Sequence, residues 1–313
     1  MIHGESGTAT TNAGGADAIF APERDARPED LYDYYRPFRE AAPVARGHEG
    51  WAGGDRALVL LRMQEVQAWL RDPRLGKEWR RLLPPDAVPS EPAPGSFNEV
   101  AGHFMLFRDP PDHTRLRTTA NMAFTPRQVS RMREPIEALA TRLARDLAAG
   151  DQPADLIAGF AYPLPVLVIA GILGVPEEDY PRFREWAAVI AAAIDLPVSG
   201  LAAFVQRADR TAGELAEYFG WIVARRRREP RDDLISAMVA AWQAERTISE
   251  QELIATLILL LVAGHETTVN LIGNGTLALL RNREQWQALV DDPSLARNAA
   301  EELLRYDSPV QMT

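Results

Sequence analysis

Cysteine is absent from all 313 residues. Disulfides, thiolate nucleophiles, zinc–thiolate centres and cysteine-held iron–sulfur clusters are therefore excluded for the chain as written. Lysine is nearly absent too: Lys77, beside Glu78, is the only one, so lysine-based catalysis has a single poor candidate and almost all positive charge is arginine. That charge is in deficit. Lys plus Arg number 34 against 44 Asp plus Glu, a formal net charge of −10 at pH 7, which disfavours a general nucleic-acid binder. No basic start and apolar block opens the chain. Residues 1–16 (MIHGESGTATTNAGGA) are small and polar and read as a disordered leader, bounded at residues 1–18. The most apolar stretch, Leu253–Ala263, falls short of the roughly twenty residues of a membrane span, and His265-Glu266 follow at once. A buried helix in a cytoplasmic protein without a membrane segment is expected. No internal repeat is visible.

What is present is ordinary globular material, 46% hydrophobic and 25% charged, enough for a sizeable core. Abundant Ala, Arg, Gly and Pro suggest a GC-rich bacterial genome. Helical spacing of apolar residues recurs between proline breaks, over Leu31–Ala42, Met63–Leu70, Gln128–Ala149, Ala154–Leu173, Glu177–Ala193, Leu201–Arg228 and Asp232–Ala244. Ala57–Leu61 (ALVLL) reads as a short strand. Residues 84–95 carry five prolines, which remove backbone donors, and residues 76–108 are read as one long loop. Ser249-Glu250-Gln251-Glu252 is a capping box opening a helix that runs to about Arg281, about 30 residues or some 45 Å long. A last helix covers Pro293–Tyr306. The predicted class is mainly α with a small β-sheet, in one domain over residues 19–313.

Three constellations can carry chemistry. Ala263-Gly264-His265-Glu266-Thr267-Thr268 sits inside the longest helix. A mid-helix glycine costs about 1 kcal/mol against alanine, Glu266 puts an acid in an apolar helix, and Thr267 can donate its hydroxyl to the Ala263 carbonyl, loosening the ladder into a bend. The site then offers a flat spot at Gly264 for a large ligand beside an acid–alcohol pair able to relay protons; the alternative is a polar kink satisfied internally. His265-Glu266 begins a zinc-protease pattern, but Val269 stands where its second histidine belongs. The second constellation is Asp109-Pro110-Pro111-Asp112-His113-Thr114-Arg115-Leu116-Arg117, where Asp109 and the prolines signal a helix start. His113 and Arg117, four apart, offer two donors to one anion, or form a solvated basic face. The third is Glu302–Arg305, spaced for an intrahelical ion pair.

These three elements, in this order, resemble the cytochrome P-450 family of soluble bacterial heme-thiolate monooxygenases, as do Ala123-Phe124-Thr125-Pro126-Arg127, Leu173-Gly174-Val175-Pro176 and Asp307-Ser308-Pro309-Val310-Gln311. The likeness covers roughly residues 20 to 313. It implies the cytochrome P-450 fold, many helices around a long central helix. It implies heme b (iron protoporphyrin IX), with a propionate bound by His113 and Arg117 and the distal face against Ala263 and Gly264. Glu266 and Thr267 would be catalytic in proton delivery, and Glu302 and Arg305 structural. It further implies a hydrophobic small-molecule substrate, of secondary metabolism, walled by loop 76–108 and residues Ile190–Phe204. Electrons would come from NAD(P)H through a reductase and a ferredoxin-type donor, to which arginines such as Arg115 would be presented. The family's axial cysteine follows the Glu-x-x-Arg helix in a Gly-rich loop, and this chain holds neither. The expectation is a fragment, inactive by itself, that lacks the iron ligand; the alternative is a non-catalytic relative that activates another enzyme, such as a glycosyltransferase.

Overall fold

A computed structural model describes residues 31–46, 58–84, 86, 90–195 and 202–310. The expected leader, the middle of Ile190–Phe204 and the end of the Asp307–Gln311 stretch lie outside them. The chain divides into two compact units, Met1–Gly76 and Lys77–Thr313.

In the first unit, α1 (Leu31–Ala41) is followed by β1 (Val44–Arg46), β2 (Leu58–Leu60) and α2 (Met63–Arg71). The strands pair antiparallel, Val44 opposite Leu60 and Arg46 opposite Leu58, so Leu58–Leu60 of the ALVLL segment form the strand its composition predicts, Leu61 lies beyond the strand, and Ala57 lies outside the described residues. The Arg62 guanidinium, at the foot of α2, donates to the Arg39 carbonyl at 2.9 and 2.7 Å and ties α2 to the end of α1.

The second unit is built of helices: α3 (Phe97–Ala101), α4 (Asp112–Ala123), α5 (Pro126–Arg131), α6 (Arg133–Ala149), α7 (Pro163–Leu173), α8 (Tyr180–Asp195), α9 (Ala202–Arg228), α10 (Leu234–Glu245), α11 (Glu250–Ala263), α12 (Glu266–Arg281), α13 (Arg283–Asp291) and α14 (Ala296–Tyr306). α9 is the spine. Ala208, Ala212, Leu215, Phe219, Ile222 and Val223 recur along one face and are all buried, as a core-facing helical stripe requires. α11 is apolar all round, and Leu253, Leu257, Ile258 and Leu261 are fully enclosed between α7, α8, α9 and α10. Phe183 of α8 closes this core edge-on to Phe219, centroids 5.8 Å apart, a favoured aromatic geometry. The span Glu250–Arg281 is long and apolar enough for a membrane by composition, yet 61% of its apolar window is buried inside the fold. It is a core helix, as expected from Leu253–Ala263.

Local chemistry explains where these helices begin and stop. The Ser249 hydroxyl accepts from the Glu252 N–H while the Glu252 carboxylate accepts from the Ser249 N–H, closing the predicted capping box. The Asp233 carboxylate caps α10 through the Ser236 N–H at 2.8 Å and also accepts from buried Arg226 Nε at 2.6 Å. The Arg226 guanidinium reaches the Gly174 carbonyl as well, at 2.7 Å. Gly174 ends α7 at φ +78°, and a Cβ there would stand 2.2 Å from the Asp233 carboxylate, so both backbone and packing demand glycine.

Several elements differ from expectation. Residues 76–108 are not one loop: Trp79–Leu82 and Met105–Phe107 form 3-10 turns, and α3 buries Phe97, Val100 and Ala101. Ser96 caps α3 by accepting from the Glu99 N–H, a local signal that the neighbouring prolines masked. The helix expected over Gln128–Ala149 is two helices meeting at Met132. That over Ala154–Leu173 opens with a π-helical stretch, Ile157–Ala161, before Pro163 starts α7. α13 lies where no helix is expected.

Candidate functional site at a break in the central helix

The long helix predicted from Ser249 to Arg281 is interrupted where its sequence loosens. α11 ends at Ala263 and α12 begins at Glu266, with Gly264-His265 between. The His265 N–H reaches back three residues to Val262, at 3.2 Å, and the regular ladder resumes with Val269 N–H to the His265 carbonyl at 3.1 Å. The Thr267 hydroxyl donates to the Ala263 carbonyl at 3.1 Å, the bond the sequence predicts. Such back-bonding competes with the helical ladder.

The break has an open side and a closed side. Ala263, Thr268 and Asn270 are exposed and Glu266 and Thr267 half-buried, on a rod whose preceding turns are otherwise mostly buried. The Ala263–Thr267 bond lies at this open side. Gly264 faces the other way. A Cβ on it would come 3.1 Å from Ile169 Cδ1 of α7 and 3.1 Å from the Leu260 carbonyl. Close approach of α7 is therefore one reason for glycine here, in addition to any flat spot.

His265 fills the closed side. It is 2% exposed, and its ring stands edge-on to Tyr162, centroids 4.6 Å apart at 76°. The Arg184 guanidinium of α8 covers the same Tyr162 ring at 4.4 Å, and the Tyr162 hydroxyl donates to the Arg184 carbonyl at 3.2 Å. Neither His265 nitrogen has a hydrogen-bond partner among the described residues. Burial and the nearby Arg184 charge push its pKa down to about 4, so the imidazole is neutral near pH 7. Sequence reasoning passes over His265 except as a failed zinc motif. Its place was legible in spacing: Ile258, Leu261, Val262, His265 and Val269 form one buried stripe at helical intervals. Among the described residues no cluster of His, Asp and Glu is arranged to hold a metal ion.

On α4, His113 is half-buried and Arg117 exposed, on the shared face that four-residue spacing gives. Asp109 does not cap this helix. Its carboxylate accepts from the N–H groups of Lys77, at 2.8 and 3.1 Å, and Glu78, at 3.0 Å, which holds it well below the usual carboxylate range. Arg115 is not a free surface cation, contrary to its expected presentation to an electron donor. It donates to both Glu252 oxygens, at 2.8 and 2.5 Å, to Asp112 at 3.0 Å and to the Thr247 carbonyl at 3.2 Å. Arg115, first of these, pulls the Glu252 pKa down to about 2. This knot fixes α4 to the start of α11, and nothing near Arg115 in sequence announces a partner 137 residues away.

Glu302 and Arg305 form the expected pair on α14, with contacts of 2.6 and 2.7 Å. Both side chains are more than half exposed.

The structure thus joins Ala263 to Thr267 and Glu302 to Arg305 directly, and sets His113 and Arg117 on one helix face. No family model matches the chain. Among characterised proteins it is 38% identical to cytochrome P-450 CYP107DY1 of Priestia megaterium, over 91% of this chain and 70% of the relative. It is 42% identical to cytochrome P-450 107B1 of Saccharopolyspora erythraea, over 91% of this chain and 68% of the relative. Among solved structures it resembles P450BioI in complex with an acyl carrier protein ligated to hexadec-9Z-enoic acid, with TM-score 0.78 and 34% identity over 91% of this chain and 70% of that one. Myxobacterial CYP267B1 in complex with myristic acid matches with TM-score 0.76 and 36% identity, over 92% and 68% of the two chains.

Proposed function

Since this chain belongs to the cytochrome P-450 family, we propose that it supplies the distal wall and propionate clamp of a heme monooxygenase, one that places a single oxygen atom from dioxygen into a hydrophobic small molecule of secondary metabolism. The observation that carries this reading is the break at Gly264-His265, where an exposed Ala263 and the Thr267 hydroxyl meet on an open face.

The residues fit heme on two sides. His113 and Arg117 present donors to one propionate, and arginine matches a carboxylate's two oxygens. Ala263, small and exposed, lets a flat ring approach. On the third side the donor set is incomplete: residues 1–313 contain no cysteine, so a thiolate donor would have to be supplied by a residue outside them. Heme b, when bound, supplies the activation of dioxygen. The chain's own part is to position and to move protons. Thr267, held by the Ala263 carbonyl, keeps its oxygen free to accept, and Glu266 beside it is the acid that resupplies it. Glu302–Arg305 is structural in this reading. The substrate class rests on the relatives, two of which were solved with fatty acyl groups. Electron supply from NAD(P)H through a ferredoxin-type donor and its reductase, and a cytoplasmic site of action, rest on family membership. By itself the chain is proposed to be inactive. The non-catalytic partner reading is disfavoured by the retained Gly264, Glu266 and Thr267 and by the intact Thr267–Ala263 bond.

The test is direct. The gene product that contains a thiolate donor, loaded with heme and reduced in the presence of a long-chain fatty acid, is expected to yield a product heavier by one oxygen. Thr267→Ala is expected to divert reducing equivalents to peroxide. If neither heme uptake nor oxygenation occurs, the proposal fails. The 313-residue chain alone is expected to show no carbon-monoxide difference band of a thiolate-bound heme; its appearance would refute the assignment of the missing ligand.

A further inference from the structure

Arg115 lies between the two residues assigned to the propionate, yet it does not share their face. Two residues along an α-helix turn the side chain by about 200°, so Arg115 points away from both His113 and Arg117. Thr119, one turn beyond Arg115, is buried, which places Arg115 beside the packed side of α4, where the helix meets α10 and α11. His113 is half-buried and Arg117 exposed. The helix therefore carries an anion clamp on one side and an anchor on the other.

The anchor is built more firmly than a surface ion pair. The Arg115 guanidinium meets both oxygens of Glu252, at 2.8 and 2.5 Å, and the Thr247 carbonyl at 3.2 Å, and the Glu252 side chain is only 10% exposed. A two-armed contact of this kind fixes angle as well as distance. Behind Arg115 runs a chain of alternating charge. Asp112 accepts from Arg115 at 3.0 Å and lies 3.7 Å from Arg81, and Arg81 and Arg108 both pair with the Glu78 carboxylate, whose side chain is 7% exposed. The turn that carries His113 is thus held by Glu78 and Arg81 on one flank and by the foot of α11 on the other.

We infer that Arg115 and Glu252 are a positioning pair for the propionate clamp: they set the tilt and register of α4 against α11, so that His113 and Arg117 stand ready for one carboxylate before a porphyrin arrives. Neither residue of the pair touches the ligand. The gain is preorganisation. Donors that must first be brought into line cost affinity, and a site works only when its supports hold it to within about 0.5 Å. The inference rests on the reading of His113 and Arg117 as propionate donors. It makes the distal wall and the clamp one unit, because the rod that leads to the break and the helix that carries the clamp are joined through this pair.

Metal-free protoporphyrin IX and its dimethyl ester, titrated by fluorescence into the 313-residue chain, test this without iron, thiolate or turnover. The main variant is Arg115→Met with Glu252→Gln. It breaks the pair, leaves the net charge of the knot unchanged and, because both partners go, is expected to keep the fold, with a melting temperature within about 3 °C of wild type. It is expected to bind the free acid about fivefold more weakly than wild type and the ester equally well. Arg115→Lys, which keeps the charge and one contact, is expected to fall between. Arg117→Ala is expected to lose about tenfold for the acid, and adding the pair variant to it is expected to cost nothing more. A merely structural pair would weaken acid and ester alike and would add to Arg117→Ala, and either result overturns the inference. In the chain without porphyrin, the amides of α4 are expected to exchange hydrogen about fivefold faster in the pair variant while those of α8 keep their rates; an unchanged α4 overturns it too. Weak binding in Arg117→Ala beside wild-type binding in the pair variant sinks this inference alone. Wild-type binding in Arg117→Ala, or no porphyrin uptake by the wild-type chain, sinks the clamp reading and the inference with it.

Discussion

Glu252 holds three groups at the start of α11: the Ser249 N–H and two arms of Arg115. A carboxylate so bonded is stabilised as the anion, and its pKa falls to about 2. The unfolded chain holds the same proton near 4.5, so the stabilisation is complete above that pH and is lost as pH falls from 4.5 toward 2. His265 has the opposite charge type. Its folded pKa of about 4 lies below the ordinary 6.5, so the unfolded chain takes up the proton first, and stability falls between pH 6.5 and 4. Two variants separate the windows. Glu252→Gln is expected to cost about 2 kcal/mol at pH 7, since it strips a half-buried guanidinium of its main partner, and to flatten the acid slope below pH 4.5. His265→Phe is expected to flatten the slope between 6.5 and 4 and to leave the lower window alone. Denaturant unfolding at half-unit pH steps reads both; a wild-type slope in either variant refutes its assignment.

At the scale of elements, the break in the central rod is a packing event as much as a local one. Alanine at Gly264 gains about 1 kcal/mol of helix propensity but brings a Cβ to 3.1 Å from Ile169 Cδ1. The net effect of Gly264→Ala is expected to be destabilising, by about 1–2 kcal/mol, with much of the loss recovered by adding Ile169→Val. Additive melting shifts in the double variant would show that Ile169 is not the obstacle. This pair also marks the limit of what was legible in the chain. The capping box at Ser249, the strand at Leu58–Leu60 and the Thr267–Ala263 bond were readable because cause and effect lie within four residues. Ile169, Tyr162 and Arg184, which shape the break, lie about 80 to 105 residues away from it, and no spacing rule reaches them. Arg115 was misread as free for the same reason. The miss at α3 is different: Ser96 and Glu99 spelled out a cap, and the density of prolines before them outweighed it.

The whole second unit is unevenly covered. α11 buries nine residues, whereas α12 buries only Val269 and Gly275, and neither α13 nor α14 buries any. Leu277, Leu280, Val290, Leu295, Leu304 and Tyr306 are exposed along these last helices. Single apolar residues on a surface are ordinary, but six of them over three successive helices and the turn between the last two leave this end of the unit rich in exposed apolar side chains. The 313-residue chain is therefore expected to bind a hydrophobic dye and to self-associate, despite a net charge of −10 that favours dispersal. Leu280→Glu with Leu304→Glu is expected to suppress both effects while moving unfolding by less than about 0.5 kcal/mol, as for exposed positions in general. If a longer form of the chain that carries a thiolate donor covers these helices, the same pair is expected to destabilise that form, because the leucines would then be core. Loss of stability already in the short chain would mean that these helices pack more tightly than their exposure indicates, and an unchanged long form would show that the two leucines stay exposed in it.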